Sequence, residues 1–224
     1  MGYMPELDHS TLDELFARFR GPCPEGDEHA TLYYEEIAWR IQQRHCRAGL
    51  DFLLAERTNV EADEDRLRGV LLGISTPELD GPELRNILRS YLNDARPLIV
   101  MDAIDSLAYL GVSEIRPRML ALSGHPSPHV RGGVLRYLAQ LFPEEAMPLL
   151  LAGLHDDHFI VRESAVDALD EMKTLDEAGV ARALMAIRPL LADAHPHVRQ
   201  AAEAAVEHFQ EELQDGEGKV GGEE

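Results

Sequence analysis

Histidine is where this sequence gathers residues able to do chemistry. Six of its 10 histidines, His125, His129, His155, His158, His195 and His197, fall in or beside predicted turns in the second half of the chain. An imidazole can ligate a metal or titrate near neutrality, so such a row could form a metal-binding or pH-sensitive edge. The spacing argues otherwise. No predicted helix carries the i, i+4 pair that fixes two ligands on one face, and stacked helix axes stand about 8–10 Å apart. His195-Pro196-His197 is too short and turn-bound to specify zinc. These histidines read as polar turn residues.

Other chemistry leaves no trace. The sequence lacks a glycine-rich phosphate loop, a nucleophile elbow and a metalloprotease helix. Gly69, Gly73 and Gly132-Gly133 lie inside helical patterns and read as packing sites. Cys23 and Cys46, the two cysteines, make no disulfide framework for 224 residues and suit a reducing interior; Cys46 reads as a structural thiol. The 41 acidic residues are spread so evenly that no carboxylate pair stands out as an acid/base couple. No catalytic, cofactor-binding or metal-ligating residue is expected, and the chain is read as a non-enzyme.

The formal charge of −20 narrows the partners. A phosphate backbone or anionic membrane would be repelled, whereas a basic protein would be attracted. The N-terminus lacks the basic start and apolar stretch of a signal peptide, and the longest apolar stretch, Met147 to Leu154, is too short to span a bilayer. A soluble, cytoplasmic protein is expected, and the sequence leaves its oligomeric state open.

Helices must hold whatever site exists, because Ala and Leu are abundant and β-branched runs nearly absent. Four segments, beginning at Pro97, Ser127, His158 and His195, align on Val100, Val130, Val161 and Val198, at intervals of 30, 31 and 37 residues. After each valine the apolar spacing is helical. Val161, Ala165, Val166, Ala168 and Leu169 paint one face. Second helices follow at Glu114–Leu122, Glu144–Leu154 and Asp176–Leu191. Hairpins of this length must stack to bury their apolar faces.

Helix-start chemistry agrees. Pro128 follows Ser127, Pro97, Pro143 and Pro196 sit at other entries, and Thr11…Glu14 and Thr174…Glu177 read as capping boxes. Pro117 and Pro148 are expected in the first turn of second helices. The reading divides the chain into an N-terminal helical cap at 1–58 and hairpins at about 59–93, 94–122, 123–154 and 155–191. A final helix at 195–209 and an acidic, disordered tail at 210–224 complete it.

Asp156-Asp-His-Phe-Ile-Val-Arg-Glu-Ser-Ala-Val-Asp-Ala-Leu169 and Asp193…Val198-Arg199-Gln-Ala-Ala carry a recognisable pattern. It resembles HEAT repeats, in particular the short bacterial type similar to phycobilisome-lyase HEAT-like repeats. The likeness is clear over 94–208 and loose over 60–93. It implies an all-α, right-handed α-solenoid of stacked antiparallel hairpins whose second helices line a concave face. It also implies that Arg131, Arg162 and Arg199, with Asp156 and Asp193, form a structural inter-repeat ladder. Two enzymatic relatives of this architecture fail on residues: di-iron hydroxylases need His-Glu pairs, and no His here precedes Glu. DNA-repair glycosylases of HEAT-like fold need a basic, aromatic-lined face, and this chain is acidic.

The expected function is therefore a protein–protein interaction scaffold. Arg116, Leu120, Leu149, Arg182 and Met185, on the second helices, are the candidate partner-binding residues. A basic partner suits the charge. Two alternatives are an immunity protein or antitoxin masking a basic toxin, and a lyase-type accessory protein for a tetrapyrrole chromophore.

Overall fold

The computed structural model describes residues 4–220 other than Glu25, Glu78 and Leu79. Within those residues the chain forms twelve α-helices and no strand. It groups into two compact units, Met1–Val112 and Ser113–Glu224.

The first unit holds α1 (Leu12–Arg20), α2 (Ala30–Gln42), α3 (Arg47–Asn59), α4 (Glu64–Ile74), α5 (Pro82–Tyr91) and α6 (Pro97–Tyr109). Their starts follow from capping chemistry. The Thr11 hydroxyl accepts from Glu14 N–H at 3.3 Å while Glu14 accepts from Thr11 N–H at 2.7 Å, a complete capping box. Asp63 caps α4 by accepting from Arg66 N–H at 3.1 Å. Proline opens α5 and α6, where its missing N–H costs nothing.

In this unit α4 packs against both α2 and α6. Backbone contact with α2 is what Gly69 and Gly73 permit. A Cβ at Gly69 would stand 2.8 Å from the Tyr34 carbonyl oxygen, and one at Gly73 would meet Leu53 at 2.6 Å and Ala38 at 3.0 Å. Residues 30–59 are thus a hairpin of the same stack, and no boundary falls at residue 58. The N-terminal helix is tied in as well. Phe16 stacks on Phe52 at 3.8 Å, and Arg20 donates from Nε to buried Glu56 at 2.7 Å.

The second unit holds α7 (Arg116–Leu122), α8 (Pro128–Leu141), α9 (Pro143–Gly153), α10 (Phe159–Asp170), α11 (Glu177–Ile187) and α12 (Pro196–Val220). α10 packs on both α8 and α12, and the anchors Val130, Val161 and Val198 are buried between them. Each anchor is the third residue past its helix N-cap position. By that register the residue of the first segment is Ile99, not Val100, because α6 is capped at Arg96. Ile99 is as deeply buried as Val130.

Several local expectations shift. Asp176, not Thr174, caps α11, accepting from Gly179 N–H at 2.8 Å. Helix α9 begins at Pro143, so Pro148 lies in its interior and not in its first turn. Pro189 forbids continuation of α11, which ends at Ile187 and passes into a 3-10 turn, Arg188–Ala192. The last helix runs to Val220, beyond the expected end at residue 209, carried by the helix formers Gln210 to Leu213. Residues 221–224 of the expected tail lie outside the described residues. No helix of the described chain is long and apolar enough to cross a membrane.

Candidate partner-binding surfaces

In the second unit Arg131 and Arg162 reach the aspartates of the next loop, and Arg199 bonds within its own loop. Arg131 donates from Nε and Nη2 to the two carboxylate oxygens of Asp156, at 3.0 and 2.7 Å. One repeat on, Arg162 donates to Asp193 at 2.8 Å through both nitrogens. Such forked, charge-assisted pairs are geometrically specific. The third nitrogen of each arginine serves its own loop. Nη1 of Arg131, Arg162 and Arg199 donates to the carbonyls six and five residues upstream, at 2.8–3.2 Å. The aspartates also accept from backbone N–H groups, Asp156 from His158 and Asp193 from His195, at 2.9 and 2.8 Å.

The forks of Arg131 and Arg162 join successive loops, and the remaining bonds hold each loop to itself. Arg162's hydrogen bonds hold Asp193 below the usual carboxylate range. At Asp156 partial burial acts upward, and the bonds from Arg131 and His158 outweigh it.

The turn histidines serve the same loops. Nδ1 of His125 accepts from Ser127 N–H at 3.1 Å, and Nδ1 of His158 accepts from Ile160 N–H at 3.3 Å. His195 stacks on Phe159 at 3.5 Å, with His158 on the same ring at 5.0 Å. Among the described residues no cluster of His, Cys, Asp and Glu is arranged to hold a metal. Cys23 and Cys46 are unbridged and half-buried.

The predicted partner-binding residues fare unequally. Arg116 is half-buried, ion-paired with Glu145 of α9, with its guanidinium 5.5 Å from the centre of the Phe142 ring. Leu149, one turn beyond Glu145, is also half-buried. Leu120 and Met185 are exposed, 39% and 75%, as is Arg182. Arg116 and Leu120 share a face of α7, and Arg182 and Met185 form their own exposed pair on α11.

A different surface lies in the first unit, on the face that α2, α4 and α6 share. There a groove of about 540 Å³ is lined from α2 by Glu35, Trp39, Gln42 and Gln43, from α4 by Arg68, Leu72 and Ser75, and from α6 by Asp102, Asp105, Ser106 and Tyr109. Three rows cross it. In the first, Arg68 bridges both neighbours, donating to Asp102 at 2.7 Å and pairing with Glu35 at 3.3 Å. Trp39 and Leu72 stand one turn further along. Gln42 then donates to the Ser75 carbonyl, and Tyr109 closes the end with 58% of its surface exposed.

Three carboxylates and one guanidinium line this groove. Burial pushes the Glu35 carboxyl up, Arg68 pulls it down, Asp102 adds to the rise, and the net shift is upward. Trp39 falls in the expected N-terminal cap, and Tyr109 carries no expectation from sequence. The available signal was a spacing of 33–34 residues linking Glu35, Arg68 and Asp102, and also Gln42, Ser75 and Tyr109. That period differs from the Val-Arg anchor and carries no shared residue type.

Residues 82–170 match the HEAT repeats family. No curated protein matches the chain. Among solved structures, an engineered protein aligns with 90% of this chain and 99% of its own, at 17% identity and a TM-score of 0.54. A designed armadillo repeat protein in complex with the peptide (KR)4 aligns with 89% of this chain and 100% of its own, at 20% identity and a TM-score of 0.53. These likenesses place the fold in the α-solenoid class. The CpcE–CpcF complex of phycocyanin lyase from Nostoc, at 13% identity over 95% of this chain and 99% of its own, reaches a TM-score of 0.43. At that score it carries no argument, and the lyase-type alternative gains no support.

Proposed function

We propose, from the premise that residues 82–170 are HEAT repeats, that this chain is a non-catalytic scaffold that binds a basic protein partner. One observation carries the reading. The sequence has 41 Asp and Glu against 21 Lys and Arg, and many of the arginines are ion-paired within the chain. Arg20 pairs with Glu56, Arg40 with Glu36, Arg68 with Asp102, Arg116 with Glu145, Arg131 with Asp156 and Arg162 with Asp193. What remains for a partner is mostly carboxylate, a surface complementary to a basic one. The designed armadillo neighbour, whose partner is an alternating Lys-Arg peptide, supports the idea that such a stack can take a basic peptide.

The test is fluorescence anisotropy of a labelled alternating Lys-Arg peptide titrated with the full chain, beside an acidic peptide of equal length. Binding of the basic peptide alone, weakening steeply as salt rises, is the expected result. Equal binding of both peptides, or binding indifferent to salt, would sink it. A compact basic toxin domain is one partner of this class, and the same salt series would test it.

A further inference from the structure

We infer that the exposed face of α11 joins two copies of this chain, the two α11 helices lying antiparallel about a two-fold axis with Glu177 of each against Arg188 of the other. This goes beyond the preceding reading and does not depend on it. The surface lies in the second unit, and its occupant is the chain itself.

The pattern along α11 prepares such a face. Val180, Ala183, Leu184 and Ile187 are buried, and the principal contacts of the helix are with α12 and the 3-10 turn that follows. At about 100° per residue, Glu177, Ala178, Ala181, Met185 and Arg188 share roughly 100° of arc on the other side. That side is open. Glu177, Ala178 and Arg188 are exposed and Ala181 is half-buried. Met185 keeps 75% of its surface in solvent, the most of any large apolar residue described. Leu191, 39% exposed, stands three residues past Arg188 and on its side of the turn. A thioether chain adapts to an irregular apolar contact, and the small alanines beside it let a second helix come close.

Charge selects what covers this face. Glu177 and Arg188 are eleven residues apart, about three turns, so they mark the two ends of one stripe with opposite signs. Neither side chain has a polar partner among the described residues. A face negative at one end and positive at the other complements itself under a two-fold rotation when the helices run antiparallel. With the axis between Arg182 and Ala183, Glu177 comes level with Arg188 of the second copy, and Met185 with its Ala181. A parallel pair would set like charges together. The helix macrodipole alone favours an acid in the first turn and a cation at the last. It gives no reason for the exposed methionine between them.

The rest of the surface narrows the choice further. At a net charge of −20, two copies repel in most orientations. From Glu177 to Ala192 the sequence sets Arg182 and Arg188 against Glu177 alone, so this stretch meets its own copy without that excess. The apolar contact supplies the attraction, and the end charges fix the direction.

Sedimentation velocity of the full chain, from low to high micromolar concentration, reads the association. A reversible monomer–dimer equilibrium without larger species is expected, because a two-fold contact closes on itself. Met185→Glu is expected to weaken the dimer at least about tenfold with the wild-type circular dichroism spectrum retained. Should it fail to fold, Met185→Gln is read in its place, and a smaller loss in the same direction is expected. Glu177→Arg and Arg188→Glu each set like charges at both ends, and each alone should stay monomeric. Mixed in equal amounts they should form a heterodimer, since one copy then carries two cations and the other two anions. A chain monomeric throughout would overturn the inference, as would a dimer indifferent to all three substitutions. Open-ended association would replace the two-fold contact with a head-to-tail one. Single variants that stay apart on mixing would overturn the antiparallel pairing. The Lys-Arg peptide titration is read separately, and none of these outcomes alters it.

Discussion

The two units solve one packing problem with different polar devices. Both stack the first helices of successive hairpins, α2, α4 and α6 in one and α8, α10 and α12 in the other. In the second unit the charge bridges sit at the loops, where Arg131 and Arg162 fork onto Asp156 and Asp193 and also satisfy their own loop carbonyls. The first unit adds to its loop-level bridge from Arg96 to Glu61 another at Arg68, set mid-helix on the shared face between Glu35 and Asp102. A loop-level bridge repeats with the backbone and leaves the helix faces free to close. A mid-helix bridge sits on the helix face itself, and there the face opens into a groove. The second device costs regularity and leaves a groove.

The ladder offers the sharpest way to break this contrast. Arg162→Ala strips the counter-charge from Asp193, whose side chain is 8% exposed, and releases two loop carbonyls. A loss of about 3 kcal/mol from the second unit is expected in urea unfolding. Arg199 donates to the carbonyls of Asp193 and Ala194 in its own loop, so Arg199→Ala should cost about 1 kcal/mol. Equal losses at the two positions would mean that the inter-repeat fork contributes nothing beyond loop closure.

Next in size is the closeness of the helices themselves. Gly69→Ala would drive a methyl to 2.8 Å from the backbone oxygen of Tyr34, which cannot turn aside, and a loss of about 2 kcal/mol is expected. Gly132→Ala meets the Ser164 hydroxyl at 2.6 Å, the far end of a side chain that can rotate. There the helix gains about 1 kcal/mol of propensity, which offsets most of the strain. Thermal melts of the two variants should differ clearly, and a reversed order would show that α2 and α4 can part more easily than their backbone contact implies.

These two devices were unequally legible in the sequence. Val-Arg with a leading aspartate recurs because each copy does the same work at the same loop, so Arg131, Arg162, Asp156 and Asp193 could be assigned before any coordinates. The helices and the stacking of hairpins followed from apolar spacing and proline entries. The first anchor slipped from Ile99 to Val100 because two buried aliphatic residues stand side by side and only the helix cap settles which is in register. The groove left no repeated residue type. Glu35, Arg68 and Asp102 differ from one another because they complement one another. Arg116 looked available because helical spacing cannot see Glu145 and Phe142 arriving from α9 and its cap.

Acid separates the two bridges by sign and by range. Asp193 is held below its ordinary 3.8, so its contribution is present above that value and is lost as pH falls through the lower folded value. The stability gap between wild type and Arg162→Ala should therefore hold from neutrality down to about pH 4 and close only below it. Glu35 stands above its ordinary 4.5, so the cost of keeping it ionised is relieved as pH falls through that raised value. Removing Arg68 removes the main attraction lowering it. Part of the gap between wild type and Arg68→Ala should thus close while the solution is still milder than pH 4.5. Gaps that closed together would mean that the mid-helix bridge and the loop bridge share one electrostatic environment.

The smallest effects on stability should come from the exposed residues, and there binding discriminates. Tyr109→Ala and Met185→Ala remove side chains that are 58% and 75% exposed, and each should shift unfolding by no more than about 0.5 kcal/mol. Their consequences for the alternating Lys-Arg peptide should part company. If the groove in the first unit is the binding site, Tyr109→Ala weakens the complex and Met185→Ala leaves it unchanged. If the second helices carry the partner, as the spacing of Leu120, Arg182 and Met185 first suggested, the order reverses. Because neither substitution disturbs the stack that surrounds it, the affinity ratio between them assigns the partner to one surface or the other without passing through stability at all.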